Sequence, residues 1–415
     1  MRVFKFGGAS LRNADGVKNV ASIIRQQPQQ ELLVVVSAMG KTTDMLERIH
    51  ELGLAKKDFA STFSTLKNYH AEVVNTLFTK ASTVSIEIDR IFETIESEIG
   101  KAGDADQVYD QIVSQGEILS SIIIHHYLAA QGVVSRWIDA RDYIATDNTF
   151  REGKINWSLT GENIAQLADA LSGTIVVTQG FIGRTSSGLT TTLGREGSDF
   201  TAAIFASCLS AESLTIWKDV AGVMNADPRR HPDTIIFDEL PFREAAEMTY
   251  YGASVIHPKT IKPLANKGIP LLVKNFQDPS LPGTIIHECQ VDNLPPLIVF
   301  KPNQCLISCK VTDYTFISEH QLHHIFATLL ELDIRINVMQ NSAITFSFCI
   351  DFRESKVTKL IGRLQQSFEV YYNTGLTLIT VKNYDTKTFE KYRNMPGVLL
   401  EQSSRSTLQV LVRTT

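Results

Sequence analysis

Residues 2–37 of the chain are RVFKFGGASLRNADGVKNVASIIRQQPQQELLVVVS. Short apolar runs at 2–6 and 31–37 flank a segment, 16–26, in which the apolar residues recur at helical spacing. A helix between two buried strands is the βαβ unit of a parallel sheet. The sequence therefore predicts an α/β fold with three layers and a mostly parallel sheet.

The same alternation continues along the N-terminal part of the chain. Apolar runs at 133–138, 174–178, 213–217 and 269–273 predict further strands, while 56–128 has helical spacing and no proline, which predicts a helical excursion. Ligands of open α/β sheets bind at the carboxyl ends of the strands. We therefore expect the functional site in the polar and glycine-rich loops that follow these strands.

A change of pattern marks the C-terminal part. Residues 292–302 contain three prolines, and beyond them the segment 306–367 alternates strands and helices as βαββα, followed by a second, shorter round. This pattern predicts two small α+β modules with antiparallel sheets. We expect domains at residues 1–292, 303–372 and 373–415.

Composition excludes several classes of protein. The formal net charge of -5 over 415 residues provides no basic field for nucleic acid or anionic lipid, so we expect neither partner. The five cysteines form no CxxC pair, as in free thiols of a reducing compartment. The N-terminus lacks a signal-peptide pattern and no apolar run is long enough to span a membrane, so we expect a cytoplasmic protein.

A transition-metal site is not predicted either. His125 and His126, like His323 and His324, are adjacent in sequence. Neighbouring positions on a helix point to different sides, so neither pair can form one coordination site.

Two glycine-containing loops follow the first two predicted strands. In the first, Gly7 and Gly8 let the backbone approach phosphate oxygens, and Lys5 adds a cation at the strand end. The second, SAMGKTTD at 37–44, resembles a phosphate-binding P-loop, but the required first glycine is absent, so that pattern fails. Ser37 and Thr43 either hold a small polar substrate or cap a helix.

Two further segments place charge at predicted helix starts. Glu117 in SQGE can accept a hydrogen bond from a substrate ammonium group, or its negative charge can complement the helix dipole. The polar cluster TTTLGREGSD at 190–199 precedes a helix of small residues. In it, Arg195 offers a planar fork to an α-carboxylate, and Asp199 can pair with an ammonium group or orient a cation.

The last segment, 217–229 (WKDVAGVMNADPR), leaves a strand and turns at Gly222. It offers apolar surface to a nucleotide base and two cations, Lys218 and Arg229, to phosphates. A charged turn without a ligand is the alternative for this segment.

Together these segments, in this order, resemble the aspartate kinase branch of the amino-acid kinase family. The resemblance extends through 247–258 (EMTYYGASVIHP) and 273–284 (VKNFQDPSLPGT), and the tail resembles the paired ACT domains of such kinases. It implies transfer of the γ-phosphoryl group of ATP, as a Mg²⁺ complex, to the side-chain carboxylate of L-aspartate, the first step towards lysine, threonine and methionine. It also implies a homodimer formed through the ACT-like tail.

The resemblance assigns roles residue by residue. The transferring phosphoryl group is held by Lys5, Gly7 and Gly8, and the catalytic residues are Lys5, Gly8 and Asp199. Aspartate is held by Ser37, Thr43, Glu117, Arg195 and Asp199. The nucleotide is surrounded by Lys218, Asp219, Met224 and Arg229, and Mg²⁺ is held mostly by phosphate and water, without a protein cage.

Three residues depart from the family pattern. Glu196 replaces a glycine beside Arg195, Ser254 replaces a nucleotide-facing lysine, and Asn337 replaces an aspartate of the effector site. Two rival functions remain: a kinase of this fold acting on another carboxylate, and a catalytically weak amino-acid sensor.

Overall fold

The computed structural model describes residues 1–27, 31–78, 83–167, 173–253, 256–312 and 315–413. The chain divides into two compact units. The first comprises residues 1–223, 236–246 and 255–290, and the second comprises 224–235, 247–254 and 291–415. An eight-stranded sheet and a three-stranded sheet belong to the first unit, and a six-stranded sheet belongs to the second.

The large sheet of the first unit is mostly parallel, as predicted. Its strands are β1 (Arg2–Phe6), β2 (Leu32–Val36), β3 (Ser135–Trp137), β5 (Ile175–Gln179), β8 (Ser213–Lys218), β9 (Glu239–Pro241), β10 (Leu271–Asn275) and β11 (Thr284–His287). Their order is β3-β5-β2-β1-β8-β10-β11-β9, with only β11 running against its neighbour β10. A small sheet contains β4 (Ala145–Thr146), β6 (Ile182–Thr185) and β7 (Thr190–Thr192).

Helices occupy the segments between these strands. They are α1 (Ala14–Arg25), α2 (Thr42–Leu54), α3 (Ala60–Leu77), α4 (Thr83–Glu98), α5 (Ala105–Val113), α6 (Gln115–Ala130), α7 (Trp157–Ala165), α8 (Gly197–Cys208), α9 (Phe242–Tyr251) and α10 (Pro258–Ala265). The predicted helical excursion at 56–128 is confirmed as α3 to α6. Every residue of β2 is buried, which explains why this strand is a continuous apolar run instead of an alternating one.

Four neighbouring strands position the candidate site. The last residue of β1, Phe6, lies opposite Val36 of β2 and Trp217 of β8, and Val36 lies opposite Gln179 of β5. Because these strands are parallel and in register, their carboxyl ends meet at one edge of the sheet. The loops that follow β1, β2 and β5 therefore converge there, beside the end of β8.

The second unit is built on one antiparallel sheet. Its elements are β12 (Leu297–Lys310), α11 (Glu319–Glu331), β13 (Ile336–Asn341), β14 (Thr345–Asp351), α12 (Glu354–Leu364), β15 (Glu369–Lys382), α13 (Thr386–Arg393), β16 (Val398–Ser403) and β17 (Thr407–Arg413). The strand order is β13-β14-β12-β15-β17-β16. This α+β arrangement with antiparallel strands is the one predicted for the tail.

The two modules of the tail share their central strands. The predicted limits after residues 302 and 372 fall inside β12 and β15, which pair along most of their length. The pairing register shifts between Lys301 and Gln304, where Pro302 has no N–H to donate to a ladder. The domain limits stay a prediction, because one continuous sheet spans both modules.

Helices in the described ranges are too short or too polar to cross a membrane.

Candidate functional site

A cavity of about 500 Å³ lies in the first unit, at the carboxyl ends of the central strands. Eight of its lining residues were predicted from the sequence to bind substrate or nucleotide: Lys5, Gly8, Ser37, Thr43, Glu117, Arg195, Asp199 and Lys218. The others that line it include Ala38, Gly40, Asp44, Glu47, Tyr109, Arg151, Phe181, Gly194, Glu196, Gly197 and Ser198. The structure thus brings residues from five separate segments of the chain into one polar cavity.

Two lysines hold one buried carboxylate at the centre of the cavity. Asp199, in the first turn of α8, is 2% exposed. Its Oδ1 lies 2.5 Å from Nζ of Lys5, and its Oδ2 lies 3.6 Å from Nζ of Lys218. Burial alone raises the pKa of a carboxyl group, but the two lysines outweigh burial and hold the pKa of Asp199 below its usual range. Asp199 is therefore ionised at neutral pH.

A second carboxylate, Glu117, lies in the first turn of α6 and is 3% exposed. Its Oε1 accepts a 3.3 Å hydrogen bond from the backbone N–H of Ala38, while its Oε2 is buried and has no partner among the described residues. Burial raises the pKa of Glu117 to about 8, although the Ala38 N–H and the charge of Lys5 act in the opposite direction. An unpartnered buried carboxylate oxygen that lines a cavity is suited to receive an ammonium donor.

The loops after β1 and β2 pack closely against each other. The backbone N–H of Gly40 donates to the carbonyl of Gly8 at 3.0 Å. A Cβ on Gly8 would lie only 2.8 Å from the carbonyl oxygen of Ala38, so no other residue fits here without a shift. A Cβ on Gly7 would lie 3.5 Å from Nζ of Lys5, although Gly7 itself is not among the lining residues.

Ser37 and Thr43 do not cap the helix that follows their loop. Helix α2 begins after Lys41, which has no side-chain capping bond, and Thr43 lies inside the first turn. Both hydroxyl residues line the cavity. Of the two roles considered for them, capping of this helix is excluded, and substrate binding stays a prediction.

The turn before α8 carries two charged residues. Arg195 is exposed and lines the cavity, and Glu196 occupies the N-cap with a φ of 54°, in the left-handed region. Oε2 of Glu196 is buried and has no partner in the described part of the chain. Burial raises the pKa of Glu196, and the negative Asp199 adds to this shift, whereas Lys218, Lys5 and Arg195 counter it.

The threonines of the polar cluster at 190–199 are structural. Thr190–Thr192 forms the buried strand β7. Oγ1 of Thr192 donates to Oδ1 of Asp110 at 2.7 Å, and its backbone N–H donates to Oδ2 at 2.9 Å. Asp110, which is fully buried, also accepts from the N–H of Arg151 at 2.9 Å. These bonds fix the strand that leads into Arg195.

One part of the cavity wall was missed from the sequence. The hydroxyl of Tyr109 donates to Oε1 of Glu47, and the guanidinium of Arg151 lies 4.0 Å from the centroid of the Tyr109 ring. Burial and the bond to Glu47 raise the pKa of Tyr109. No motif marks these residues, because they come from α2, from α5 and from the segment after β4.

Four predicted residues are not among those that line the cavity. Asp219 is exposed after the end of β8. Met224 and Arg229 belong to the second unit, and Arg229 pairs with Asp227 at 2.8 Å. Their nucleotide-binding roles, like that of Gly7, stay predictions. Ser254, the departure from the nucleotide-facing lysine, lies outside the described residues.

Comparison with known proteins identifies the family. The model of the amino acid kinase family matches residues 1–275. Lysine-sensitive aspartokinase 3 of Escherichia coli (strain K12) is 31% identical over 396 residues, which cover 92% of this chain and 87% of that protein. Aspartokinase 1, chloroplastic, of Arabidopsis thaliana is 31% identical over 364 residues, which cover 84% of this chain and 63% of that protein.

A solved structure is similar over the whole chain. E. coli aspartokinase III in complex with aspartate and ADP (R-state) has a TM-score of 0.85 and 28% identity, and the match covers 100% of this chain and 96% of that one. The same enzyme in complex with lysine and aspartate (T-state) has a TM-score of 0.81 and 27% identity. The chain therefore belongs to the amino acid kinase family, in its aspartokinase branch.

Proposed function

We propose that the chain is an aspartate kinase that transfers the γ-phosphoryl group of ATP to the side-chain carboxylate of L-aspartate. The observation that carries this proposal is the cavity itself, in which three cations, Lys5, Lys218 and Arg195, lie with the buried carboxylates of Asp199 and Glu117. Aspartate and ADP are the ligands of E. coli aspartokinase III in the similar R-state structure.

The phosphoryl end of the site is formed by Lys5, Gly8 and Lys218. Phosphoryl transfer requires fixed positive charge and backbone N–H groups around the transferring group more than covalent work by the protein. Asp199 holds the two ammonium groups in place within a buried site. Phosphate oxygens that enter the cavity then meet cations already positioned, which lowers the reorganisation needed in the transition state.

The aspartate end is formed by Glu117 and Arg195, with the hydroxyl groups of Ser37 and Thr43. The unpartnered Oε2 of Glu117 accepts the substrate ammonium. The planar guanidinium of Arg195 binds the α-carboxylate in bidentate fashion. Glu117 and Arg195 together favour an α-amino acid over other carboxylates, which separates this function from that of a kinase for a different acceptor.

No general base is needed for the chemical step. The side-chain carboxylate of aspartate is ionised at neutral pH and carries no proton to remove. Catalysis therefore consists of aligning the carboxylate oxygen with the γ-phosphorus and neutralising the charge on the phosphates.

Mg²⁺ is implied by ATP use, and the residues of the cavity fit it. Mg²⁺ prefers oxygen ligands, commonly one or two carboxylates together with substrate phosphates and water. Glu196 provides a buried carboxylate oxygen without a partner at the cavity, whereas both oxygens of Asp199 contact lysines. We assign Glu196 as the carboxylate that holds Mg²⁺, directly or through water. The ion supplies charge neutralisation on the phosphates.

The C-terminal unit carries the proposed dimer and effector functions. Large apolar side chains are exposed on it, with Phe316 at 76% and Leu330 at 81%, which supports a homodimer formed through the ACT-like modules. Lysine is the ligand of the similar T-state structure of E. coli aspartokinase III, which supports binding of an amino-acid effector here. Asn337 is hydrogen-bonded to Lys301, Gln304 and Asp351.

We place the enzyme in the cytoplasm and at the first step towards lysine, threonine and methionine. The phosphorylated aspartate that the reaction yields supports the pathway assignment, and the free cysteines support a reducing compartment such as the cytoplasm.

An ADP-release assay tests the proposed function. The purified chain with MgATP should release ADP when L-aspartate is added, and D-aspartate, L-glutamate and succinate should be poor acceptors. Light scattering on the same sample tests the dimer. Equal rates with succinate and L-aspartate would favour a kinase for another carboxylate. Aspartate binding without ADP release would favour an amino-acid sensor.

A further inference from the structure

A group of three potential metal ligands lies away from the cavity, at the edge of the large sheet. Strand β9 pairs with β11 in parallel, with Glu239 opposite Ile285. Because side chains alternate between the two faces of a strand, His287 points to the same face as Ile285 and Glu239. The intervening Ile286 is 1% exposed on the opposite, buried face. Glu239 and His287 are thus neighbours on the outer face.

Cys289 continues this pattern two residues beyond the end of β11. Nε2 of His287 lies 3.3 Å from Oε2 of Glu239. The sulfur of Cys289, one ring nitrogen of His287 and one carboxylate oxygen of Glu239 all lie within 4.8 Å of one another. A nitrogen, an oxygen and a sulfur ligand therefore lie close together, although Glu239 precedes His287 by 48 residues.

The distances suit a tetrahedral ion. With bonds of about 2.0–2.1 Å to nitrogen and oxygen, the edge of a tetrahedron is about 3.3 Å long. The separation between His287 and Glu239 already has this value. With a bond of about 2.3 Å to sulfur, the edges to Cys289 would be about 3.5 Å, so a movement of about 1 Å by the half-buried Cys289 side chain completes the set.

We propose that Glu239, His287 and Cys289 bind one Zn²⁺ ion, with water in the fourth position. The mixture of thiolate, imidazole and carboxylate ligands favours zinc over Mg²⁺, which prefers oxygen ligands alone. The site joins the edge strand β9 to the segment that leaves β11. The ion stabilises the folded chain because the unfolded chain does not hold the three ligands together.

The alternative is a simple ion pair between His287 and Glu239, with Cys289 nearby by coincidence. The two explanations differ in the role of sulfur. An ion pair does not need Cys289, whereas a zinc site loses its strongest ligand when the thiol is removed. Cys208 provides a matched control, because it is a half-buried free thiol of the same unit that lies outside the group.

The test is metal binding by the full-length chain after removal of metals with a chelator. Zn²⁺ is titrated against a chromophoric chelator with MgADP present throughout, so that the cavity is occupied. We expect one equivalent of Zn²⁺ to bind to the wild-type chain and to Cys208→Ser. For Cys289→Ser and His287→Gln we expect the affinity to fall by tenfold or more. Zn²⁺ should raise the melting temperature of the chain with Cys208→Ser but not of that with Cys289→Ser.

Cobalt gives a second readout that does not depend on affinity. Co²⁺ bound to the wild-type chain and to Cys208→Ser should show the charge-transfer absorption of a cobalt–thiolate bond, and this band should be absent from Cys289→Ser. Circular dichroism checks that each variant is folded. Equal zinc affinity in Cys289→Ser and Cys208→Ser, or a cobalt spectrum without the thiolate band in the wild-type chain, would overturn the proposal.

Discussion

Replacing Lys5 with methionine tests the central ion pair of the cavity. Methionine keeps most of the apolar stem and removes the ammonium group, so the effect of the charge is separated from that of a void. Lys5 is 8% exposed and Asp199 is 2% exposed, and their charged atoms are 2.5 Å apart. In Lys5→Met, Asp199 keeps Lys218, at 3.6 Å, as its cationic partner in the described part of the chain.

Two magnitudes follow from this geometry. Removing one partner of a buried ion pair costs about 3–5 kcal/mol, because the other charge stays buried without compensation. Lys218 remains beside Asp199, so we expect a loss of unfolding free energy near the lower limit, about 3 kcal/mol. Loss of a cation at the transferring phosphoryl group costs about 3–4 kcal/mol of transition-state stabilisation, a fall in kcat of roughly a hundred- to thousandfold.

The stability effect has a defined dependence on pH. The pKa of Asp199 in the folded wild-type chain lies below its usual range, so its contribution to stability is present above the unfolded value of about 3.9. That contribution is lost as the pH falls through the folded pKa. The difference in stability between wild type and Lys5→Met should therefore be largest at neutral pH and should narrow below about pH 4.

Urea unfolding, followed by circular dichroism at pH 7 and at acidic pH, measures these differences, and the ADP-release assay measures kcat. Lys18→Met is the matched control, because Lys18 pairs with Asp15 on the surface at 3.1 Å. Lys18→Met should lose no more than about 1 kcal/mol of unfolding free energy, and its kcat should be unchanged. If Lys5→Met were as stable as wild type, with the same pH dependence, the buried pair would not exist in solution. Near-normal kcat would refute the role of Lys5.

Three further substitutions test the aspartate and metal ends of the cavity. Arg195→Lys should raise the aspartate KM by roughly ten- to a hundredfold, since the bidentate fork is lost; a larger effect on the ATP KM would contradict its assignment. Glu117, with a pKa of about 8, must lose its proton to pair with the substrate ammonium, so the aspartate KM should fall as the pH rises towards 8, by at most about tenfold per unit. Glu117→Gln should raise this KM and abolish its pH dependence. Glu196→Gln should lower the affinity for MgADP and raise the affinity for metal-free ADP, both measured by calorimetry. Equal changes in the two affinities would contradict a metal-holding role.

The sequence predicted the parts of the site that depend on local chain geometry. Lys5 lies near the carboxyl end of β1, Gly8 and Ser37 follow β1 and β2, and Arg195 precedes α8. Each was singled out because a glycine-containing loop after a strand has a recognisable pattern. The eight-stranded order of the sheet then brings these loops together. Parallel strands and their crossover helices are encoded in short stretches of sequence, which explains why these loops could be predicted.

Contacts between distant elements could not be predicted from the sequence in the same way. The wall formed by Glu47, Tyr109 and Arg151 depends on how α2 and α5 pack, and no spacing in the sequence records that packing. Thr192 belongs to a polar stretch of sequence, yet it pairs with Ile182 in the small sheet and donates to the buried carboxylate of Asp110. In both cases the polar residues are evident in the sequence, but their hydrogen-bond partners come from distant elements and are set by the tertiary fold.

Part of the charge in the cavity is already paired within the protein. Asp199 neutralises much of the field of Lys5 and Lys218, and Glu117 is mostly protonated at neutral pH because its pKa is about 8. When substrates bind, the lysines and Glu117 would therefore exchange their present partners for substrate groups. In the mechanism that we propose, phosphate oxygens share the two ammonium groups with Asp199, and the substrate ammonium replaces the proton of Glu117. The phosphates would meet ammonium groups already in position, and the substrate ammonium would meet a carboxyl group that gives up its proton, so neither substrate leaves an uncompensated charge in a buried environment.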